Sequence, residues 1–174
     1  MNCFSYIVVH CQWHILVMKA TNTTLPLNDL DTESKYLVHK AREASQNAYA
    51  PYSKFYVGAA LLLDDGTLVT GSNQENASYP LCLCAERVAL FTAAATHPGK
   101  AIVKIALTAH KKNQKNLLPA SPCGACRQVM LEFEHRQKKP ISVVFQVAAD
   151  AWMVTAQASV LLPYPFDQDN LTHE

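Results

Sequence analysis

Two short stretches decide how this chain is read: Cys84-Ala85-Glu86-Arg87, and Ser121-Pro122-Cys123-Gly124-Ala125-Cys126-Arg127-Gln128. Cys123 and Cys126 have the spacing of a zinc knuckle, which lets both sulfurs face one metal ion. Cys84 supplies a third thiolate from a separate segment. Three protein ligands with no obvious fourth is the arrangement of a catalytic zinc, because the open coordination position can take water. The run from Cys84 to Thr96 is rich in alanine, with Val88, Leu90 and Phe91, and predicts a mostly buried helix. Ser121 and Pro122 suit the N-cap and first turn of another helix, with Cys126, Val129, Met130 and Phe133 on one face. All three cysteines are therefore expected in first turns, where unpaired N–H groups and the helix dipole favour thiolate.

Three thiolates on Zn2+ leave a net charge of about −1, which opposes ionisation of a bound water. Arg87 and Arg127 each directly follow a site residue. At least one is expected to offset that charge through hydrogen bonds to sulfur, with Arg87 the favoured choice. The alternative for either is a surface or inter-helix arginine. Glu86 is not needed to complete the zinc set. A carboxylate beside zinc-bound water can take its proton and pass it to a substrate. The plainer alternative is a surface glutamate in a helical first turn.

Working outward, 174 residues suit one domain with a core that needs no disulfide staples. Residues are 49% hydrophobic and only 17% charged, which argues against long disorder. A net charge of +1 gives no basic field for a polyanion, so the expected partner is a small, nearly neutral molecule and not nucleic acid. Four of the six cysteines crowd around the two motifs, unlike a secreted disulfide framework. A reducing compartment, the cytoplasm, is expected. Ile7 to Met18 is apolar but interrupted by His10, Gln12 and His14, and is too short to span a bilayer. No positive charge precedes it and no small-residue cleavage site follows, so a signal peptide fits poorly. The first eighteen residues are read as an edge strand or as an extension upstream of a natural start at Met18, and residues 1–30 as a whole as an N-terminal extension or edge strand.

Asp31 can cap a helix running to about Ala48, with Leu37, Ala41, Ala44 and Ala48 at helical spacing. Residues 57–63 and 67–71 flank Asp64-Asp65-Gly66, a hairpin signal. Residues 102–108, 141–147 and 152–157 predict three more strands, and the polar run His110–Asn116 a loop with solvated lysines. The order α-β-β-α-β-α-β-β implies an α/β fold, a mixed five-stranded sheet with helices on both faces.

These residues also carry a resemblance. AYAPYSKFYVGAALL (48–62), GSNQENASYP (71–80), CAER (84–87), SPCGACRQ (121–128) and LLPYPF (161–166) resemble segments of the cytidine deaminase family, in the family's order. The resemblance runs from about Asp31 to Leu171 and implies a single catalytic domain, 31–171, of three-layer α/β/α architecture. It implies one Zn2+ per subunit and hydrolytic deamination of cytidine and 2′-deoxycytidine to the uridines, in pyrimidine salvage. Zinc-bound hydroxide would attack C4 of the base, with Glu86 shuttling protons to the ring and to the departing ammonia. Asn73 and Glu75 would hold the ribose hydroxyls and Phe55 would pack on the pyrimidine. The Ala85 backbone and Glu86 would read the base edge, and Tyr79 would line the site. Phe166 would contact the substrate of a neighbouring subunit, or else be a core aromatic.

Cysteine at position 84 is similar to the short, homotetrameric class. Tyr56 departs from the family's common proline and Ser72 from its frequent cysteine, while Cys82 has no role in the pattern. Other readings are a deaminase for another cytosine nucleoside, an editing enzyme on nucleic acid, or a structural zinc module. The last would need a fourth protein ligand.

Overall fold

The computed structural model describes residues 22–114 and 116–171. Its elements in chain order are β1 (Asn22–Leu25), α1 (Thr32–Ser45), β2 (Phe55–Leu63), β3 (Leu68–Ser72), α2 (Ala85–Thr96), β4 (Ile102–Lys111), α3 (Gly124–Gln137), β5 (Ser142–Ala148) and β6 (Ala151–Thr155). Four single 3-10 turns punctuate the connections, among them Tyr79–Leu81 and Ala158–Leu161.

The strands form one mixed sheet in the order β1-β6-β5-β4-β2-β3. Only β4 and β5 run parallel, joined through α3, as a crossover helix requires. Six strands replace the five expected from sequence. The sixth is β1, which pairs antiparallel with β6 from Asn22↔Thr155 to Leu25↔Trp152. An edge strand is one of the two readings of residues 1–30; the four residues of β1, paired on one side only with exposed middle positions, carry too little alternation to fix its place. The segment Ile7–Met18 lies outside the described residues.

Strand alternation sorts the core into two clusters. Ala59, Leu61 and Leu63 of β2, with Ile105 and Leu107 of β4, join Ala89, Leu90, Met130 and Phe133 of α2 and α3. Ala60, Ala106 and Val144 point the other way and join Leu37, Val38 and Ala41 of α1. The result is three layers, with α1 on one face and α2 and α3 on the other.

Asp31 caps α1 as expected, its carboxylate accepting from the Ser34 N–H at 2.7 Å. The helix stops at Ser45 and not near Ala48, since the Asn47 and Ala48 N–H groups turn back to Ala44 and Ser45 in a tighter three-residue step. β4 runs on to Lys111, into residues read as loop. Its pairing with β2 continues to Phe55↔Lys111, and backbone pairing is indifferent to the polarity of an exposed strand end.

One close approach sets the site. A Cβ on Gly71 of β3 would lie 2.5 Å from the Ala85 carbonyl oxygen and from the Ala89 nitrogen, so only glycine lets α2 sit this close. The N-terminus of α2 is thereby pinned to the sheet. No helix among the described residues is long and apolar enough to cross a membrane.

Candidate metal centre and active-site cavity

Cys84 is the N-cap residue of α2 and Cys123 the N-cap of α3, both with extended backbone, while Cys126 lies in the first turn of α3. Neither side chain makes a capping hydrogen bond to the backbone of its own helix, which leaves the sulfurs free to turn toward one another. They converge. Sγ of Cys84 lies 3.8 Å from that of Cys123, which lies 3.4 Å from that of Cys126. All three sulfurs fall within 4.8 Å of one another, the sole such cluster of potential metal ligands among the described residues. Tetrahedral zinc with bonds of about 2.3 Å to sulfur asks for sulfurs about 3.8 Å apart, so the set fits one zinc ion.

The electrostatics ask for a cation too. Hydrogen bonds from Cys126 first, then from Arg87 and Cys123, lower the Cys84 thiol to about 5 against the effect of burial. Cys126 moves strongly the other way, through its hydrogen bond to Cys84, its burial and the charges of Glu86 and Cys84. Sulfurs this close cannot all ionise unless a positive ion sits among them. Arg87 is the arginine that reaches sulfur, its Nη2 lying 3.7 Å from Cys84 Sγ and 3.3 Å from the Cys82 carbonyl. Arg127 bonds the Pro122 and Leu161 carbonyls instead.

Glu86 is 4% exposed. Burial, and then the charge of Cys84, raise its carboxyl to about 7. It faces a cavity of about 520 Å³ that Cys84 and Cys123 also line, opposite Phe55, Asn73 and Glu75. That volume suits a nucleoside-sized molecule. Phe55 begins β2 and is half-buried. The Asn73 side chain extends the sheet, with Oδ1 accepting from the Val57 N–H at 2.8 Å and Nδ2 donating to the Phe55 carbonyl at 3.0 Å. Glu75 accepts the Tyr52 and Ser53 N–H groups on Oε2, at 2.9 and 3.3 Å. A side-chain hydrogen bond with Ser53 foremost, and then these backbone bonds, hold its carboxyl below the usual range against the effect of burial.

The family profile of the cytidine and deoxycytidylate deaminase zinc-binding region matches residues 31–141, a span that holds all three cysteines and Glu86. The chain belongs to the cytidine and deoxycytidylate deaminase family. It is 49% identical over 100 residues to a cytidine deaminase of Halalkalibacterium halodurans, covering 58% of this chain and 71% of that one. To a probable cytidine deaminase of Dictyostelium discoideum it is 36% identical over 139 residues, covering 80% and 87%. The crystal structure of a cytidine deaminase from Burkholderia pseudomallei matches with a TM-score of 0.63 and 42% identity, over 79% of this chain and all of that one. That of Mycobacterium tuberculosis cytidine deaminase matches at 0.62 and 36%, over 79% and 99%. This chain has the α/β fold of those cytidine deaminases and is an enzyme of their family.

Other residues singled out from sequence stand apart from this deaminase-family cavity. The Ala85 side chain is fully buried. Tyr79 is 69% exposed, its ring edge-on to Tyr52 at 6.0 Å. Phe166 is 61% exposed, which removes the core-aromatic alternative, and its carbonyl accepts from Gln128 Nε2 at 2.6 Å.

Cys82 joins the cavity wall but not the metal cluster, and its Sγ accepts the Asn76 N–H at 3.2 Å. Leu83, Leu107 and Ser121 also line the cavity, and sequence reading gave them no place there. Glu134 escaped it too. Its buried carboxylate accepts the N–H groups of Ile141 and Ala158, both at 2.6 Å, and of Ser159 at 2.9 Å. Its partners lie on other segments, so no local pattern reports it.

Proposed function

We infer that this enzyme hydrolyses cytidine and 2′-deoxycytidine to uridine and 2′-deoxyuridine with release of ammonia, a step of pyrimidine salvage. The observation that carries this reading is Glu86, a buried carboxylate on the cavity wall beside three convergent sulfurs that hold the metal without it. Cys84, Cys123 and Cys126 hold zinc, which when bound supplies a Lewis acid able to ionise water near neutral pH. Glu86 moves the proton. It accepts one from the attacking water and delivers it to the pyrimidine ring nitrogen, then takes the proton of the new C4 hydroxyl and gives it to the amine, which leaves as ammonia while the C4 carbonyl forms. Atoms balance as cytidine plus water to uridine plus ammonia.

The remaining residues bind and orient. Phe55 packs on the base, and the Ala85 backbone reads its edge together with Glu86. Asn73 keeps a second amide hydrogen and Glu75 its Oε1 for the ribose hydroxyls, beyond the bonds already described. Tyr79 lies edge-on to Tyr52, outside the cavity wall. Arg87 offsets the charge of the thiolates. The assembly is a homotetramer, supported by the exposed apolar side chains Leu81, Tyr164 and Phe166. In it Phe166 reaches the substrate of a neighbouring subunit. Free thiols at the site suit the cytoplasm, and the near-neutral charge suits a free nucleoside.

Ammonia release from cytidine, 2′-deoxycytidine, other cytosine nucleosides and a cytosine-rich single strand tests this. Fast turnover of the first two is expected. Preference for another cytosine nucleoside or for the strand would overturn the substrate assignment.

A further inference from the structure

Arg127 joins two parts of the molecule that the sequence keeps far apart. Its Nε donates to the Pro122 carbonyl at 2.8 Å and its Nη1 to the Leu161 carbonyl at 3.3 Å. Pro122 is buried and directly precedes Cys123. Its carbonyl lies ahead of the N-cap, outside the helical ladder, and needs a partner from elsewhere. The Arg127 N–H in turn donates to the Cys123 carbonyl at 3.0 Å. One residue therefore grips the backbone on both sides of the peptide that leads into a zinc ligand.

The other end of the guanidinium is anchored just as firmly. Leu161 closes the 3-10 turn Ala158–Leu161, whose first N–H groups bond to Glu134 of α3. Gln128 fastens the same segment further on, at the Phe166 carbonyl. A planar guanidinium can hold two carbonyls at a fixed angle, which a single ammonium cannot. Arg127 thus fixes the Pro122–Cys123 backbone against a segment that is itself tied to the body of α3.

We propose that Arg127 is a positioning residue for the metal centre: it presets the backbone that aims Cys123 and so tightens the grip on zinc without touching a sulfur. This rests on the three cysteines being the zinc set. Partners that orient metal ligands are worth about 10–100-fold in metal affinity. Arg87 and Arg127 then divide the work. The first bonds a sulfur, and the second holds the turn that aims another.

The test compares zinc affinity, by chelator competition, in the wild type, Arg127→Met, Arg127→Lys and Gln128→Leu. The cobalt-substituted forms supply a spectrum that reports thiolate geometry. Arg127→Met is expected to bind zinc about 10–100-fold more weakly and to shift the sulfur-to-cobalt bands. Arg127→Lys should fall between it and the wild type. Gln128→Leu releases only the Phe166 tie and should keep wild-type zinc affinity.

An Arg127→Met protein with unchanged zinc affinity and cobalt spectrum overturns the proposal, as does Gln128→Leu losing as much affinity as Arg127→Met. If Arg127→Met does not fold, Arg127→Lys decides alone, weaker zinc supporting the role and unchanged zinc refuting it. A wild-type chain that takes up no zinc would instead refute the reading of the cysteines.

Discussion

Asn73, Glu75 and Glu86 face one cavity, but the protein uses their hydrogen-bonding capacity very differently. Asn73 spends both ends of its amide on β2, and Glu75 spends one oxygen on the Tyr52–Ser53 turn. Those two side chains are fixed before any ligand arrives, which lowers the entropic cost of binding. Replacing Asn73 by alanine strips partners from the Val57 N–H and the Phe55 carbonyl. It should destabilise the fold by about 1–3 kcal/mol in denaturant titration, besides weakening nucleoside binding. Unchanged stability would show that these bonds contribute little. The spacing of the cysteines, and Glu86 as a carboxylate the metal does not need, were readable from residue types alone. That Asn73 is also a sheet residue was not, because its partners lie on another strand.

Elements place the chemistry. The cysteines sit where α2 and α3 begin, so the geometry of the sulfurs depends on how those helix ends rest on the sheet. Gly71 is the contact that decides this for α2. Gly71→Ala would force the Ala85 and Ala89 backbone outward and carry Cys84 with it. A cost of about 1–3 kcal/mol is expected from such overpacking, together with weaker zinc binding, measured by thermal melting and chelator competition. Wild-type zinc affinity in this variant would mean that the helix end is not what positions Cys84.

The hairpin at Asp64–Gly66, the cap at Asp31 and the helix-bearing motifs were legible because each depends on neighbours in sequence. The place of β1, for which an edge strand is only one of two readings, and the extension of β4 were not. An edge strand is specified by its partner more than by its own pattern, and β4 continues because β2 lies alongside it.

At the scale of the whole molecule, the apolar surface is the part left unexplained by one subunit. Tyr164 and Phe166 are 80% and 61% exposed on a segment that Arg127, Gln128 and Glu134 hold against α3. A segment bound this firmly, with its aromatics facing outward, supports the proposed contact with a neighbouring subunit. Phe166→Ala should leave the oligomer intact by light scattering while raising the KM for cytidine on the order of tenfold, about 1.4 kcal/mol. An unchanged KM with an intact oligomer would show that Phe166 serves no substrate site.

The exposure of Phe166 could not be foreseen, since an aromatic in LLPYPF reads equally well as core. In the proposed mechanism, deamination turns on a single carboxylate. Glu86→Gln keeps the size of the side chain and removes only its capacity to carry a proton. Zinc content and cytidine turnover, measured together on this variant, test that directly. One zinc per chain with turnover lowered about 10²–10⁴-fold is the predicted result. Full zinc with near-normal turnover would contradict the proton-carrying role of Glu86.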